Sequence, residues 1–182
     1  MMWRIAGVCA VAAFGWVTAA VAESKPDDIV GTWWTDGKGS QIEIYKEGDQ
    51  YNGKIVWLEN PNYGENDPEA GKPQRDRKNP DPARQNDPML GLNLLKGFTF
   101  DGTANWTGGT IYDPTEGKTY KCTIKIGENG VLDVRGYIGI PALGRTTVWT
   151  RVTKEEKEAT SAKSAQPRPE NAAALPTEKK SE

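Results

Sequence analysis

The aspartates Asp76, Asp81 and Asp113 are the acid/base candidates in this chain, because all three stand near turn signals that can present a side chain. Two carboxyl groups held at a fixed separation cleave glycosidic bonds, one as the acid and one as the nucleophile or base. Aspartates beside Asn and Pro more often close Asx turns or cap helices, however. The rest of the catalytic toolkit is thin. The 182 residues include no His, which excludes a Ser-His-Asp triad, a Cys-His pair and any His-ligated metal in this chain. Two cysteines cannot build a zinc knuckle or a four-thiolate cluster.

Binding chemistry has better candidates. In Asp133-Val134-Arg135-Gly136-Tyr137, strand alternation puts Arg135 and Tyr137 on one face and Leu132, Val134 and Ile138 on the other. With the apolar face inside, Arg135 is a solvated strand charge. With a polar cavity, Arg135 and Tyr137 point inward and anchor an anionic head group through charge-assisted hydrogen bonds. Trp57 and Trp149 would supply the apolar part of such a site.

A calcium site would need an Asp-x-Asn-x-Asp-Gly type of loop, which is absent. No metal and no cofactor is expected. With 23 basic and 25 acidic residues there is no broad basic field, so nucleic acid is not an expected partner.

The ends of the chain speak to location. Met1 to Ala22 has Arg4, an apolar stretch and Ala20-Val21-Ala22, which is the layout of a cleaved secretory signal. Periplasmic or secreted placement is expected, with no membrane span after cleavage. Losing Arg4 leaves 22 bases against 25 acids, a formal charge of −3. Losing Cys9 leaves Cys122 alone, so no internal disulfide forms. Cys122 reads as a small buried apolar residue. Residues 23–27 read as a linker. Residues 153–182 are rich in Lys, Glu, Ala, Ser and Pro and lack aromatics, which predicts a disordered charged tail with at most a short helical start.

Residues 28–152 must therefore position any site, and their period is 2. Gln41-Ile42-Glu43-Ile44-Tyr45 alternates, as do Tyr120, Cys122, Ile124 and Ile126 against Thr119, Lys121, Thr123 and Lys125. Asn52-Gly53 and Asn129-Gly130 suit type I′ hairpins. Strands are expected near 29–35, 40–47, 50–59, 94–100, 104–112, 117–127, 131–138 and 145–152. That is an all-β fold, an eight-stranded antiparallel up-and-down barrel whose interior holds side chains or one small ligand. A monomer is expected.

One long connection, 60–92, holds six of the 12 prolines. A Pro-stiffened loop of this length is expected to lie over one barrel mouth, with Asp76, Asn79 and Asp81 shaping it and Asp81 capping a short turn from Pro82.

Gly31-Thr32-Trp33 opens the first strand and Arg151 closes the last, which resembles the lipocalin superfamily. There the Trp plugs one barrel end and the Arg packs across it. More broadly, Gly53-Lys54-Ile55-Val56-Trp57-Leu58, Asp76-x-x-Asn79-Pro80-Asp81, Trp106-x-Gly108-Gly109-x-Ile111-Tyr112-Asp113-Pro114 and Trp149-Thr150-Arg151 resemble the bacterial domain-of-unknown-function 2147 family. The resemblance implies a secreted, lipocalin-like barrel and carries no established activity. Family members often have a Cys where Asn52 stands, so that disulfide is not expected here.

Three functions compete on this reading. The first is non-catalytic binding of a small, partly apolar ligand, at Trp57, Arg135, Tyr137 and Trp149. The second is a cell-envelope scaffold or stress protein acting through protein contacts of its loop or tail. The third is a carboxylate-based hydrolase.

Overall fold

The computed structural model describes residues 24–165, so the leader over 1–22 and the tail beyond 165 lie outside the described residues. Eight strands close an antiparallel barrel in chain order: β1 (Gly31–Trp34), β2 (Ser40–Glu47), β3 (Gln50–Leu58), β4 (Asn93–Phe100), β5 (Asn105–Asp113), β6 (Lys118–Ile126), β7 (Leu132–Tyr137) and β8 (Arg145–Arg151). β8 returns to β1 through Trp33↔Arg151 and Trp34↔Thr150, so no edge is left open. Each strand lies within two residues of its expected range.

One expected turn falls elsewhere. β2 and β3 are joined at Gly48-Asp49, with Glu47 opposite Gln50, and Asn52-Gly53 lies inside β3. Asn52 Oδ1 accepts the Gly97 backbone N–H across a bulge at 2.9 Å. Gly53 is small because a Cβ there would sit 2.9 Å from Leu95 and 3.2 Å from Ile42. Close packing, not turn chemistry, explains that dipeptide. Asn129 (φ 59) and Gly130 (φ 72) do form a positive-φ turn between β6 and β7.

The inward set is continuous. Trp33, Ile42, Ile44, Tyr51, Ile55, Leu95, Phe98, Trp106, Cys122, Ile124, Leu132, Val134 and Trp149 are at most 3% exposed and belong to one core cluster. Such low exposure leaves little water-sized space beside them, so this interior is filled by side chains. Inside the wall, Gly109, Cys122 and Gly136 are register partners across β5, β6 and β7. That row of small residues admits the Phe98 ring, which would lie within 2.7 Å of a Cβ at Gly109.

A short 3₁₀ turn, Pro26–Ile29, plugs the end where β8 finishes. Trp106 Nε1 donates to the Pro26 carbonyl at 2.9 Å, Trp33 Nε1 to the Ile29 carbonyl at 2.8 Å, and the Tyr51 hydroxyl to Asp27 at 2.6 Å. Gly31 (φ +134) admits the Arg151 guanidinium, whose Nη1 would lie 2.6 Å from a Cβ there. The opposite end carries the β1–β2, β3–β4, β5–β6 and β7–β8 connections.

Past residue 153 the chain opens on the helical start expected there, and that start is longer than one turn. A helix, α1 (Lys154–Ala165), begins there, with Thr153 Oγ1 accepting the Glu156 N–H and Glu156 accepting the Thr153 N–H. It is tied to the barrel by Lys38–Glu156 at 3.1 Å and by Gln41 Nε2 donating to Thr160 Oγ1 at 3.3 Å. A capping box and two tertiary anchors offset the weak intrinsic stability of a helix this short. Among the described residues no helix is long and apolar enough to cross a membrane.

Candidate functional site

The long loop is an ordered structure built on its own charges. Arg77 grips Asp67 through two bonds of 2.8 and 2.9 Å, and Arg75 and Arg77 both reach Glu69. The two guanidiniums, Arg77 foremost, pull the Glu69 carboxyl down to about 2. Arg77 also lies over the Tyr63 ring, 3.5 Å from its centroid. The loop's bases are thus largely consumed by its own acids. Asp81 accepts from Ala83 N at 3.0 Å and starts the 3₁₀ turn Pro82–Arg84.

A buried aspartate pins this loop to the barrel. Asp76 is 0% exposed and accepts from the Tyr112 hydroxyl at 2.7 Å and from Asn79 Nδ2 at 2.7 Å. Asn79 Oδ1 in turn accepts from Asp81 N at 2.9 Å. Burial, then the bond to Asp76, pushes the Tyr112 phenol well above its usual range, so it stays a donor. A second anchor runs from Lys78 Nζ to the Thr115 carbonyl at 2.6 Å. The chain then rejoins β3 through Gly91 N to Ile55 O and Ile55 N to Leu92 O.

The loop docks on the outer wall and not over the mouth. Leu95 and Ile111 point inward, so Lys96, Thr110, Tyr112 and Thr119, which alternate with them or pair beside them, face outward. Between these residues and the loop's Asn79, Pro80 and Arg84 lies a cleft of about 140 Å³, completed by Leu92, Asn93 and Leu94. One side is apolar. The other carries two cations and two threonine hydroxyls. Arg84 is held by Asp87 at 3.0 Å, whereas Lys96 has no ion pair among the described residues.

The four residues expected to bind ligand are scattered. Trp149 belongs to the filled interior, its Nε1 donating to Thr147 at 3.2 Å. Trp57 pairs with Gln41 beyond a bulge and meets Trp34 edge-on, 5.2 Å between ring centroids. Arg135 and Tyr137 face outward, because Val134 and Leu132 take the interior. Arg135 donates to the Pro141 carbonyl at 2.8 Å, to Thr146 Oγ1 at 2.8 Å and to the Ala142 carbonyl at 3.4 Å. Its partners are backbone and hydroxyl, so it braces the β7–β8 loop.

The acid/base candidates are likewise engaged. Asp113 accepts from Thr115 N at 2.8 Å and from its hydroxyl at 2.6 Å, an Asx turn. Asp81 is a cap and Asp76 is sealed under the loop. Burial pushes the Cys122 thiol up to about 12, which removes the thiolate needed for attack. Among the described residues no three His, Cys, Asp or Glu side chains gather to hold a metal ion.

Lys96, Arg84, Thr110, Tyr112 and Thr119 were not legible as a set in the sequence. Their common signal is polarity on the outer positions of β4 to β6, where a loop rich in Asn, Asp and Pro needs a polar seat.

Three comparisons place this geometry among known proteins. The model of a family described as uncharacterized protein conserved in bacteria matches residues 31–151. No curated protein matches the chain. Among solved structures, the barrel is similar to protein HP1028 from the human pathogen Helicobacter pylori, described as belonging to the lipocalin family. The two align with a TM-score of 0.61 and 21% identity, over 72% of this chain and 88% of that one. At that identity the likeness establishes the lipocalin-type fold alone.

Proposed function

The chain belongs to the domain-of-unknown-function 2147 family, and we propose, on the geometry of its outer-wall cleft, that it is an exported, non-catalytic protein that binds a small amphipathic anion. The site is the outer-wall cleft beneath the long loop. The observation that carries this reading is Lys96. Among the described residues its ammonium has no acidic partner, and it stands in a cleft that also offers Arg84, two threonine hydroxyls and an apolar side from Leu92 and Leu94. Charge-assisted hydrogen bonds from such groups suit a carboxylate or phosphate head.

The barrel interior supports this choice by exclusion, because its side chains fill it. The cleft is also smaller than the roughly 300–1,000 Å³ typical of drug-sized sites, so the ligand is a short acid or one head group of something longer. The buried Asp76–Tyr112 pair keeps the loop seated and the cleft preformed.

The test is an NMR titration of the mature protein with butyrate, inorganic phosphate and a neutral amide control. Saturable amide shifts at Lys96, Thr110 and Thr119 for one anion, at least tenfold weaker in Lys96→Met, support the reading. Shifts that never saturate, or an affinity unchanged in Lys96→Met, overturn it.

A further inference from the structure

Arg135 braces a segment that is unlike the rest of the surface. Between β7 and β8 runs Ile138-Gly139-Ile140-Pro141-Ala142-Leu143-Gly144. It has no charge and no polar side chain. Ile138 is 71% exposed, Ile140 58% and Leu143 79%, and these are the three most exposed large hydrophobic side chains among the described residues. Isolated exposed aliphatics are ordinary, but three within six residues on one loop are not.

The loop is held in this pose. Arg135 binds the Pro141 and Ala142 carbonyls. Leu143 N donates to the Ile140 carbonyl at 3.2 Å and Gly144 N to the Pro141 carbonyl at 3.0 Å. Gly144 presses so close to the Gly136 carbonyl that a Cβ would lie 2.6 Å from it. A braced loop loses little further entropy on docking, and the brace keeps the aliphatic side chains in solvent.

We propose that this loop is a membrane-docking tip that inserts Ile138, Ile140 and Leu143 into an anionic lipid surface. Charge around the tip selects this occupant. Arg145 follows the loop directly and lies opposite Gly136, and Lys121 lies opposite Tyr137 at the loop's other end. Both are exposed, and neither makes an ion pair among the described residues. Two free cations at the base of an apolar tip match phosphate head groups above an acyl layer. Size points the same way. Three side chains on one loop fall short of the roughly 800 Å² per partner that a standard protein interface buries, whereas shallow insertion needs only a few. The tip is at the barrel end opposite the Trp33–Arg151 plug, so docking would leave the closed end facing away from the bilayer.

The experiment is co-sedimentation of the mature protein with vesicles of phosphatidylcholine alone and of phosphatidylcholine mixed with phosphatidylglycerol. Binding to the mixed vesicles is expected, weaker with rising salt, and at least tenfold weaker in Ile138→Ser/Ile140→Ser/Leu143→Ser. Arg145→Ala should weaken it severalfold. Near-ultraviolet circular dichroism checks that the serine variant, altered only at exposed positions, keeps its tryptophan packing. Equal partition of wild type and serine variant overturns the proposal. So does a dimer in analytical ultracentrifugation that the serine substitutions dissociate, because the tip would then be a self-association surface.

Discussion

Arg151 and Trp33 are directly paired across the β1–β8 seam, and the Arg151 guanidinium carbon lies 4.1 Å from the centre of the Trp33 ring. The same guanidinium donates to the Val30 carbonyl at 3.0 Å and to the Asp28 carbonyl at 2.6 Å. One side chain therefore joins the last strand, the first strand and the 3₁₀ plug. Burial pulls the Arg151 pKa down from its ordinary value, but the group stays charged at neutral pH. Arg151→Ala should cost about 2 kcal/mol in urea denaturation, from the lost ring contact and hydrogen bonds. Arg151→Lys should recover only part, because a lysine cannot stack and fork together. A double-mutant cycle with Trp33→Phe should show a coupling of about 0.5–2 kcal/mol; strict additivity would deny the contact.

That seam was legible only through resemblance, because Gly31-Thr32-Trp33 at the start and Arg151 at the end resemble the lipocalin pattern. The strand positions were legible from the residues themselves, through their period-2 alternation and the turns between them. The docking of the long loop was not. Whether 60–92 covers a mouth or a wall depends on where Asp76 finds its hydroxyl, and Tyr112 is 36 residues away in sequence. The inside of β7 was ambiguous for a related reason. Val134 and Arg135 alternate equally well either way round, and the choice is made by Ile124, which pairs with Val134 and is fully buried. Lys96 carries no such signal, because bulges at β4 shift its face relative to a simple alternation.

The Asp76–Tyr112 bond should hold the loop more than the barrel. Tyr112→Phe removes one of the two side-chain donors to a fully buried carboxylate and should cost about 1–3 kcal/mol. The loss should appear first as faster amide exchange and easier proteolysis in 60–92, with the barrel strands still protected. Uniform destabilisation of all strands would show that the loop and barrel open as one unit.

The loop's ion network sets a pH window. Glu69 is held at about 2 in the folded protein against an ordinary 4.5, by Arg77 first and then Arg75. A depressed folded value means the contribution is fully present above about 4.5 and is lost as pH falls toward 2. Amide exchange in the loop should rise through that window in the wild type. In Glu69→Gln it should be already fast near neutrality and flatter with pH. Side-chain carboxyl shifts followed by NMR give the Glu69 titration directly, and a midpoint near 4.5 would rule out the network.

Cys122 should behave as packing and not as chemistry. It stands between Gly109 and Gly136 in the row of small residues that admits Phe98, and it is 1% exposed. Burial pushes its thiol up to about 12, so almost no thiolate exists at pH 8 even before access is considered. A thiol reagent should label native protein only as fast as the barrel opens, and label urea-unfolded protein at once. Cys122→Ala should be mild, about 1 kcal/mol, because it leaves only a small void. Cys122→Leu should be worse, at about 1–3 kcal/mol or more, because its extra methyl groups meet Phe98 in a filled interior. Cys122→Ser should fall between them, since a hydroxyl there has few partners. Rapid labelling of the folded protein, or a leucine variant as stable as wild type, would mean that the barrel holds more open space beside Cys122 than its burial implies.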